Sequence, residues 1–247
     1  MSYCVAVKVN QGLVFASDSR TNAGVDHIST YGKMHTFDLK NDRFIFLLSA
    51  GNLATTQAVV NLIERDLTSP NIKINLNSVG YLFDAAHYVG QISVGVQEEH
   101  REFVLKSGIN VEASFILGGR IEGKAHDIFL IYPQGNYINA SPETPFLQIG
   151  ETKYGKPILD RMIFPDTSLE DAARCALVSI DSTMRSNIAV GPPIEIGIYR
   201  KDELAMAHRL SLNPSSPLYA TIQKGWSEGL RRAFRRLPRF EWETGAN

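Results

Sequence analysis

The chain has 247 residues, of which 44% are hydrophobic, 21% charged and 9% aromatic, and its formal net charge is −1. That is the composition of a globular protein able to bury a sizeable core, and the near-neutral balance argues against a dedicated nucleic-acid binder. Two cysteines are too few for a disulfide framework, no basic-then-apolar leader opens the chain, and the longest apolar stretch, Phe44 to Ala50, is far too short for a membrane span; the expectation is a reduced, cytoplasmic protein with no membrane or nucleic-acid partner.

Tyr3–Val9 and Gly12–Ser19 are apolar runs separated by Asn10-Gln11-Gly12, which predicts a hairpin. Their residues are apolar at nearly every position, so this sheet should be covered on both faces. Strands are also expected at Met34–Asp38 and Arg43–Ala50, turning at Asn41-Asp42. Helical spacing then takes over in Ala54–Leu67, which ends before Pro70, and in Val79–Glu98. Strands return at Ala113–Arg120, Asp127–Tyr132 and Asn136–Asn139, with Pro133-Gln134-Gly135 as a turn. Two helices follow, within Lys153–Met162 and Leu169–Ser186. Ser168 and Asp171 resemble a capping box for the second, and Ala173, Leu177, Ile180 and Met184 mark its buried stripe. Ile194–Tyr199 and Leu204–His208 predict a hairpin around Lys201-Asp202, and Ser215–Arg236 predicts a surface helix.

Strands followed by helices, twice over, suggest two antiparallel sheets packed face to face with helices outside. The predicted fold is therefore α+β, a four-layer αββα sandwich. It is read as a single domain over residues 1–247, with residues 211–247 as a C-terminal helical extension.

The chemistry centres on Ser2. Removal of Met1 would leave its hydroxyl beside a free α-amine, whose ordinary pKa of about 7.7–8.0 makes it a usable base near neutral pH. Asp18 sits on an apolar strand, and buried carboxylates are rare unless paired. Lys33, in Gly32-Lys33-Met34, is the cation expected to pair with it.

Ser2, the run Gly12-Leu13-Val14-Phe15-Ala16-Ser17-Asp18-Ser19-Arg20-Thr21 and Lys33 together resemble the start of a proteasome β-subunit, an N-terminal-nucleophile hydrolase. Ala50-Gly51-Asn52-Leu53-Ala54-Thr55-Thr56-Gln57 is similar to that family's glycine-led turn into its first helix. Tyr132-Pro133-Gln134-Gly135 and Gln148-Ile149-Gly150 continue the pattern, so the resemblance covers roughly residues 2 to 200. The chain is most similar to the bacterial ancestral β-subunit (Anbu) group. Three stretches carry that likeness: Ser17 to Asp26, Gly150-Glu151-Thr152-Lys153-Tyr154-Gly155-Lys156-Pro157 and Ser186-Asn187-Ile188-Ala189-Val190-Gly191-Pro192-Pro193.

The resemblance implies a threonine-type endopeptidase that uses serine. Ser2 would attack the scissile carbonyl and its own α-amine would take the proton. Lys33 would lower the hydroxyl's effective pKa, Asp18 would hold Lys33 charged, and the Gly51 N–H would face the oxyanion. Thr21, Asn22 and Leu53 would flank the substrate. A ring or ring-like homo-oligomer acting on polypeptide or peptides is implied, with no cofactor, and with substrate delivered by a regulatory partner the sequence does not name. Glu151 departs from the pattern, because many proteasome-type subunits carry a serine there. It either replaces lost support or raises the cost of forming an oxyanion. An amidase acting on one small or modified peptide amide, and a catalytically silent scaffold, are the rival readings.

The other chemical side chains have plainer explanations. Cys4 reads as a small buried hydrophobe and Arg20 as a clamp on the strand end. His27, His35, His87, His100, His126 and His208 show no metal-ligand spacing, and no metal is assigned. Glu98-Glu99-His100-Arg101-Glu102 reads as a solvated helix end. Arg231-Arg232-Ala233-Phe234-Arg235-Arg236 reads as a solvated helix face, with a subunit contact as second choice.

Overall fold

The computed structural model describes residues 2–22, 28–37, 39–104 and 108–244. β1 (Tyr3–Val9) and β2 (Gly12–Asp18) form the expected hairpin, and every residue in them except Lys8 is buried. β3 (Arg20–Asn22) and β4 (Ile28–Thr30) pair in a small separate ladder that the sequence pattern did not suggest. β5 (Met34–Thr36) is shorter than expected, and Asp38 lies outside the described residues. β6 (Arg43–Gly51) follows.

α1 (Leu53–Thr68) begins where Asn52 Oδ1 accepts the Thr55 N–H at 3.2 Å, an N-cap that satisfies one of the helix's orphan donors. α2 (Leu82–Val104) starts three residues later than the apolar spacing implied. The reason is that Leu76 and Val79 give their carbonyls to the Arg43 guanidinium, at 3.0 and 2.9 Å. It also runs past the expected end, and His100 is engaged with Thr55 Oγ1 at 3.1 Å rather than left to solvent.

β7 (Ala113–Ile121), β8 (Asp127–Ile131) and β9 (Tyr137–Asn139) come as expected, and Gly135 takes φ +82° in the turn before β9. β10 (Phe146–Gly150) was quoted in the sequence but not read as a strand. Its pairing partner is β1, with Tyr3 opposite Gly150. α3 (Lys156–Met162) and α4 (Leu169–Ser186) follow, and Ser168 Oγ accepts the Asp171 N–H at 3.1 Å. On α4 Leu177 and Ile180 are buried, whereas Ala173 and Met184 only edge the core. β11 (Ile194–Arg200) and β12 (Met206–Leu212) form the last hairpin, with β12 set later in the chain than expected. α5 (Pro217–Phe234) is a surface helix with only Tyr219 buried, and α6 (Glu241–Thr244) follows it.

The sheet β10-β1-β2-β11-β12 faces the sheet β5-β6-β7-β8-β9. One apolar core lies between the first sheet and α3, α4 and α5. A second lies between the sheets, and a third between the other sheet and α1 and α2. The expected αββα layering is what the residues build. Strand alternation drives it: Val5, Val7, Val14 and Ala16 point to the helices, while Cys4, Ala6, Leu13 and Phe15 point to the opposite sheet.

Phe15 and Phe46 stack across the two sheets with ring centroids 4.3 Å apart, and both are fully buried. Truncation of Phe15 to Ala should therefore cost about 3–5 kcal/mol of stability, the usual range for a buried aromatic. Urea unfolding should show a lower midpoint at an unchanged slope, and a loss no larger than a surface substitution gives would exclude this stack as a mainstay of the sandwich.

Candidate active site

β2 ends at Asp18, which is fully buried. Such a carboxylate is costly unless paired and hydrogen-bonded, and here it has three donors. Lys33 Nζ lies 2.5 Å from Asp18 Oδ1 and the Tyr3 N–H donates to the same oxygen at 3.0 Å, while the Gly191 N–H donates to Oδ2 at 3.1 Å. Lys33 is also buried, at 5% exposure, and its ammonium donates to the Arg20 carbonyl at 2.7 Å. Burial raises the Asp18 carboxyl above its ordinary value, and the Lys33 charge with the two backbone donors pulls it back.

Ser2 is half-buried at the start of β1. It lines a cleft of about 870 Å³ together with Thr21, Lys33, Gly51 and Leu53, so the structure gathers five of the seven expected residues on one surface. Asp18 lies behind them, under Lys33. Asn22 is placed by its backbone at the end of β3, and its side chain lies outside the described residues, as does Met1. Gly51 has φ +118°, and a Cβ there would run into the Glu112 carbonyl, so the turn from β6 into α1 excludes any side chain beside Ser2. On the other side of Ser2 and Gly51 a second pocket, of about 430 Å³, is lined by Asn110, Glu112, Ser114, Pro133 and Gly150.

Several residues of the cleft were not singled out in the sequence for this role. Tyr31, His35, Ser49, Thr56 and Gln57 line the larger pocket, and His35 Nε2 lies 3.4 Å from Ser49 Oγ. Burial, helped by Arg209, holds the His35 imidazole below its ordinary value, so it is neutral at pH 7. The period-two step from Lys33 to His35 was a signal for shared orientation, but nothing in the sequence brings Ser49 and Thr56 against it. Cys4 is fully buried between the sheets, its thiol pushed up by burial, which matches its reading as a small hydrophobe. Arg20 Nη1 holds the Ile188 carbonyl at 2.7 Å, the clamp expected of it.

A buried Lys–Asp pair behind a serine at the second position, with a glycine turn opposite, is arranged on a sandwich of two antiparallel sheets. The sequence profile described as "Proteasome subunit" matches residues 2–199. Among solved structures, Anbu (ancestral β-subunit) from Yersinia bercovieri is 44% identical with a TM-score of 0.89, over 97% of this chain and 98% of that one. The Anbu complex from Pseudomonas aeruginosa, solved as a helical assembly, is also 44% identical, with a TM-score of 0.90 over 96% and 98% of the two chains. Anbu from Hyphomicrobium sp. strain MC1 is 41% identical with a TM-score of 0.86, over 97% and 99%. The chain belongs to the proteasome subunit family, in its Anbu group. Comparison with curated proteins gave no match. The Anbu matches cover 96–97% of this chain, more than the residues 2–199 that the family profile covers. Among the described residues of this Anbu chain, no helix is long and apolar enough to cross a membrane.

The Lys33–Asp18 pair supplies a stability test. Lys33→Ala leaves a buried carboxylate without its cation, which typically costs about 3–5 kcal/mol. With burial then opposed only by the Tyr3 and Gly191 N–H donors, the folded state prefers a protonated Asp18 more strongly than the unfolded chain does. Such a group stabilises below its unfolded pKa and loses that contribution as pH rises. The deficit of the Lys33→Ala variant should therefore be largest at neutral pH and shrink on acidification, as read by chemical denaturation across pH. A deficit that grows on acidification would contradict the buried pairing.

Proposed function

We propose that this chain is a proteasome-type peptidase whose nucleophile is Ser2 after Met1 is removed, with Thr21, Asn22 and Leu53 flanking the substrate. The observation that carries this reading is the position of Ser2 at the junction of two pockets, with Lys33 and Gly51 beside it and Asp18 behind. The free α-amine of Ser2 takes the hydroxyl proton as Oγ bonds to the scissile carbonyl carbon. The Gly51 turn faces the oxygen that gains charge. The C–N bond then breaks, the amine leaves with the proton, and water releases the acyl group from Oγ. The Lys33 ammonium, paired with Asp18, favours loss of the proton from the Ser2 hydroxyl as Oγ attacks. One well-placed oxyanion donor is commonly worth about 2.7–4 kcal/mol, so the Gly51 geometry matters as much as the side chains.

Pockets on both sides of Ser2 favour an extended polypeptide over a small amide, because each can take one side of the scissile bond. Among the described residues the wall of the larger pocket holds no carboxylate, while His35, Ser49 and Thr56 give it neutral hydrogen-bonding groups. A large side chain with an uncharged polar tip suits it better than lysine or arginine. Such a permissive site calls for confinement. The helical assembly of the Pseudomonas aeruginosa relative supports a self-assembling homo-oligomer here too; a ring or ring-like enclosure, a cytoplasmic setting and a regulatory partner are proposed with it.

The test is an electrophilic peptide probe, a vinyl sulfone or β-lactone, followed by mass mapping. An adduct on Ser2 is expected in the wild-type chain, and none in Ser2→Ala or in folded Lys33→Ala. Adduct formation should rise with pH as the α-amine loses its proton, whose ordinary pKa is about 7.7–8.0. Absence of any adduct from a chain that has lost Met1 would count against hydrolysis and for a silent scaffold.

A further inference from the structure

We propose that Glu151 is the positioning residue for the Ser2 α-amine, serving as the counter-ion that holds it once Met1 is gone; the proposal rests on the peptidase reading given above. β10 ends at Gly150 with φ +84°, and a side chain there would run into the Ser2 carbonyl. The next residue, Glu151, donates its backbone N–H to that same carbonyl at 2.8 Å. The residue bearing the new amine is thus clipped directly to Glu151.

The Glu151 side chain is buried, with 8% of the residue exposed. A buried carboxylate is costly unless its oxygens are partnered. Oε2 accepts the Asn187 amide at 2.8 Å, whereas Oε1 has the Lys153 ammonium at 3.7 Å, on a side chain 66% exposed. Coulomb energy at that distance, on a solvated partner, is small. Oε1 therefore retains capacity for a stronger donor. Asp18 does not have it: its oxygens already take Lys33 Nζ, the Tyr3 N–H and the Gly191 N–H. Removal of Met1 creates an ammonium at the residue to which Glu151 is fastened, and Asn187, just past α4, fixes the carboxylate from the other side.

The charged and titratable groups around Ser2 are few. Lys33 and Asp18 neutralise each other behind it. Lys153 lies toward solvent beyond Glu151. Glu112 lines the smaller pocket but is exposed, His35 stands in the larger pocket, and the Arg20 guanidinium is occupied with Ile188. Among the described residues Glu112 is the carboxylate that lines a pocket with Ser2, whereas Glu151 is tied to Ser2 through its backbone; the exposure of Glu112 makes it a weak counter-ion. A buried carboxylate beside the amine raises its pKa and orients it, so that once the ammonium has given up its proton to solvent the neutral amine accepts the hydroxyl proton from a fixed geometry.

Competitive labelling of the α-amine with trace acetic anhydride across pH, quantified by mass, reads its pKa without any need for catalysis. It is run on the assembled wild-type protein and on Glu151→Gln, Glu151→Asp and Glu112→Gln, each checked for Met1 removal and thermal stability. The Ser2 adduct rate with the electrophilic probe is followed on the same samples. In Glu151→Gln the amine pKa should fall by about one unit, the low end of what an adjacent opposite charge supplies. The acid limb of the adduct rate should move down with it, and the plateau rate should drop. Glu151→Asp should recover most of the shift, and Glu112→Gln should leave it in place. An unshifted amine in folded Glu151→Gln, or an equal shift in Glu112→Gln, overturns the assignment of Glu151. A wild-type chain whose amine titrates but which forms no adduct overturns the peptidase reading instead, while the labelling still decides the role of Glu151. A wild-type chain that keeps Met1 overturns both.

Discussion

The Lys33–Asp18 ion pair organises the site, because it spends burial energy at a place where several chain segments meet. Removing two charges from water costs several kcal/mol each, and the pair alone rarely recovers that. Here Asp18 in β2 is bound by the first residue of β1 and by Gly191 in the segment between α4 and β11, while Lys33 reaches back to the Arg20 carbonyl at the start of β3. Each donor offsets part of the desolvation, and each ties down a different segment. The first sheet, the segment leading to β5 and the segment leading to β11 are therefore fixed relative to one another by a polar centre as well as by apolar packing. The site inherits its geometry from that arrangement.

The same economy explains the glycines at the cleft. Gly51 and Gly150 both adopt positive φ, and at both a Cβ would collide with a neighbouring carbonyl. They bring the β6–α1 turn and the end of β10 against the start of β1, where a side chain would have pushed them away. Ser2 is thus enclosed by backbone on two sides and by the ion pair behind. This leaves it facing the two pockets that meet at it.

Much of this could be read from residue order. The paired central strands were legible because they are apolar at almost every position, and α4 was legible from its cap and its stripe. Asp18 was legible because a carboxylate in such a strand demands a partner, and Lys33 because it supplied one. What stayed hidden depends on contacts remote in sequence. β10 is five residues long and holds its place through pairing with β1, so its own pattern carries little. β12 is largely exposed on both faces, which erases the alternation that would mark its limits. Ser49, Thr56 and His35 meet in the cleft only because β5, β6 and α1 pack together. The role of Asn187 is likewise invisible until the α4 terminus is seen beside Glu151.

Glu151, which stands where many proteasome-type subunits carry a serine, gains a physical meaning from charge balance. With Met1 in place the residue after it carries an uncharged amide, and the buried groups around it sum to the neutral Lys33–Asp18 pair plus a carboxylate served by one amide and one distant, solvated lysine. Cleavage after Met1 adds one positive charge at this spot and nothing else. The uncompensated carboxylate and the new ammonium are then complementary, and each lowers the desolvation cost of the other. A site built this way is electrostatically complete only in the processed chain. On the proposed reading, processing and catalysis are coupled through a single carboxylate, because the Asp18 oxygens are already taken by Lys33 and two backbone donors while Glu151 retains capacity.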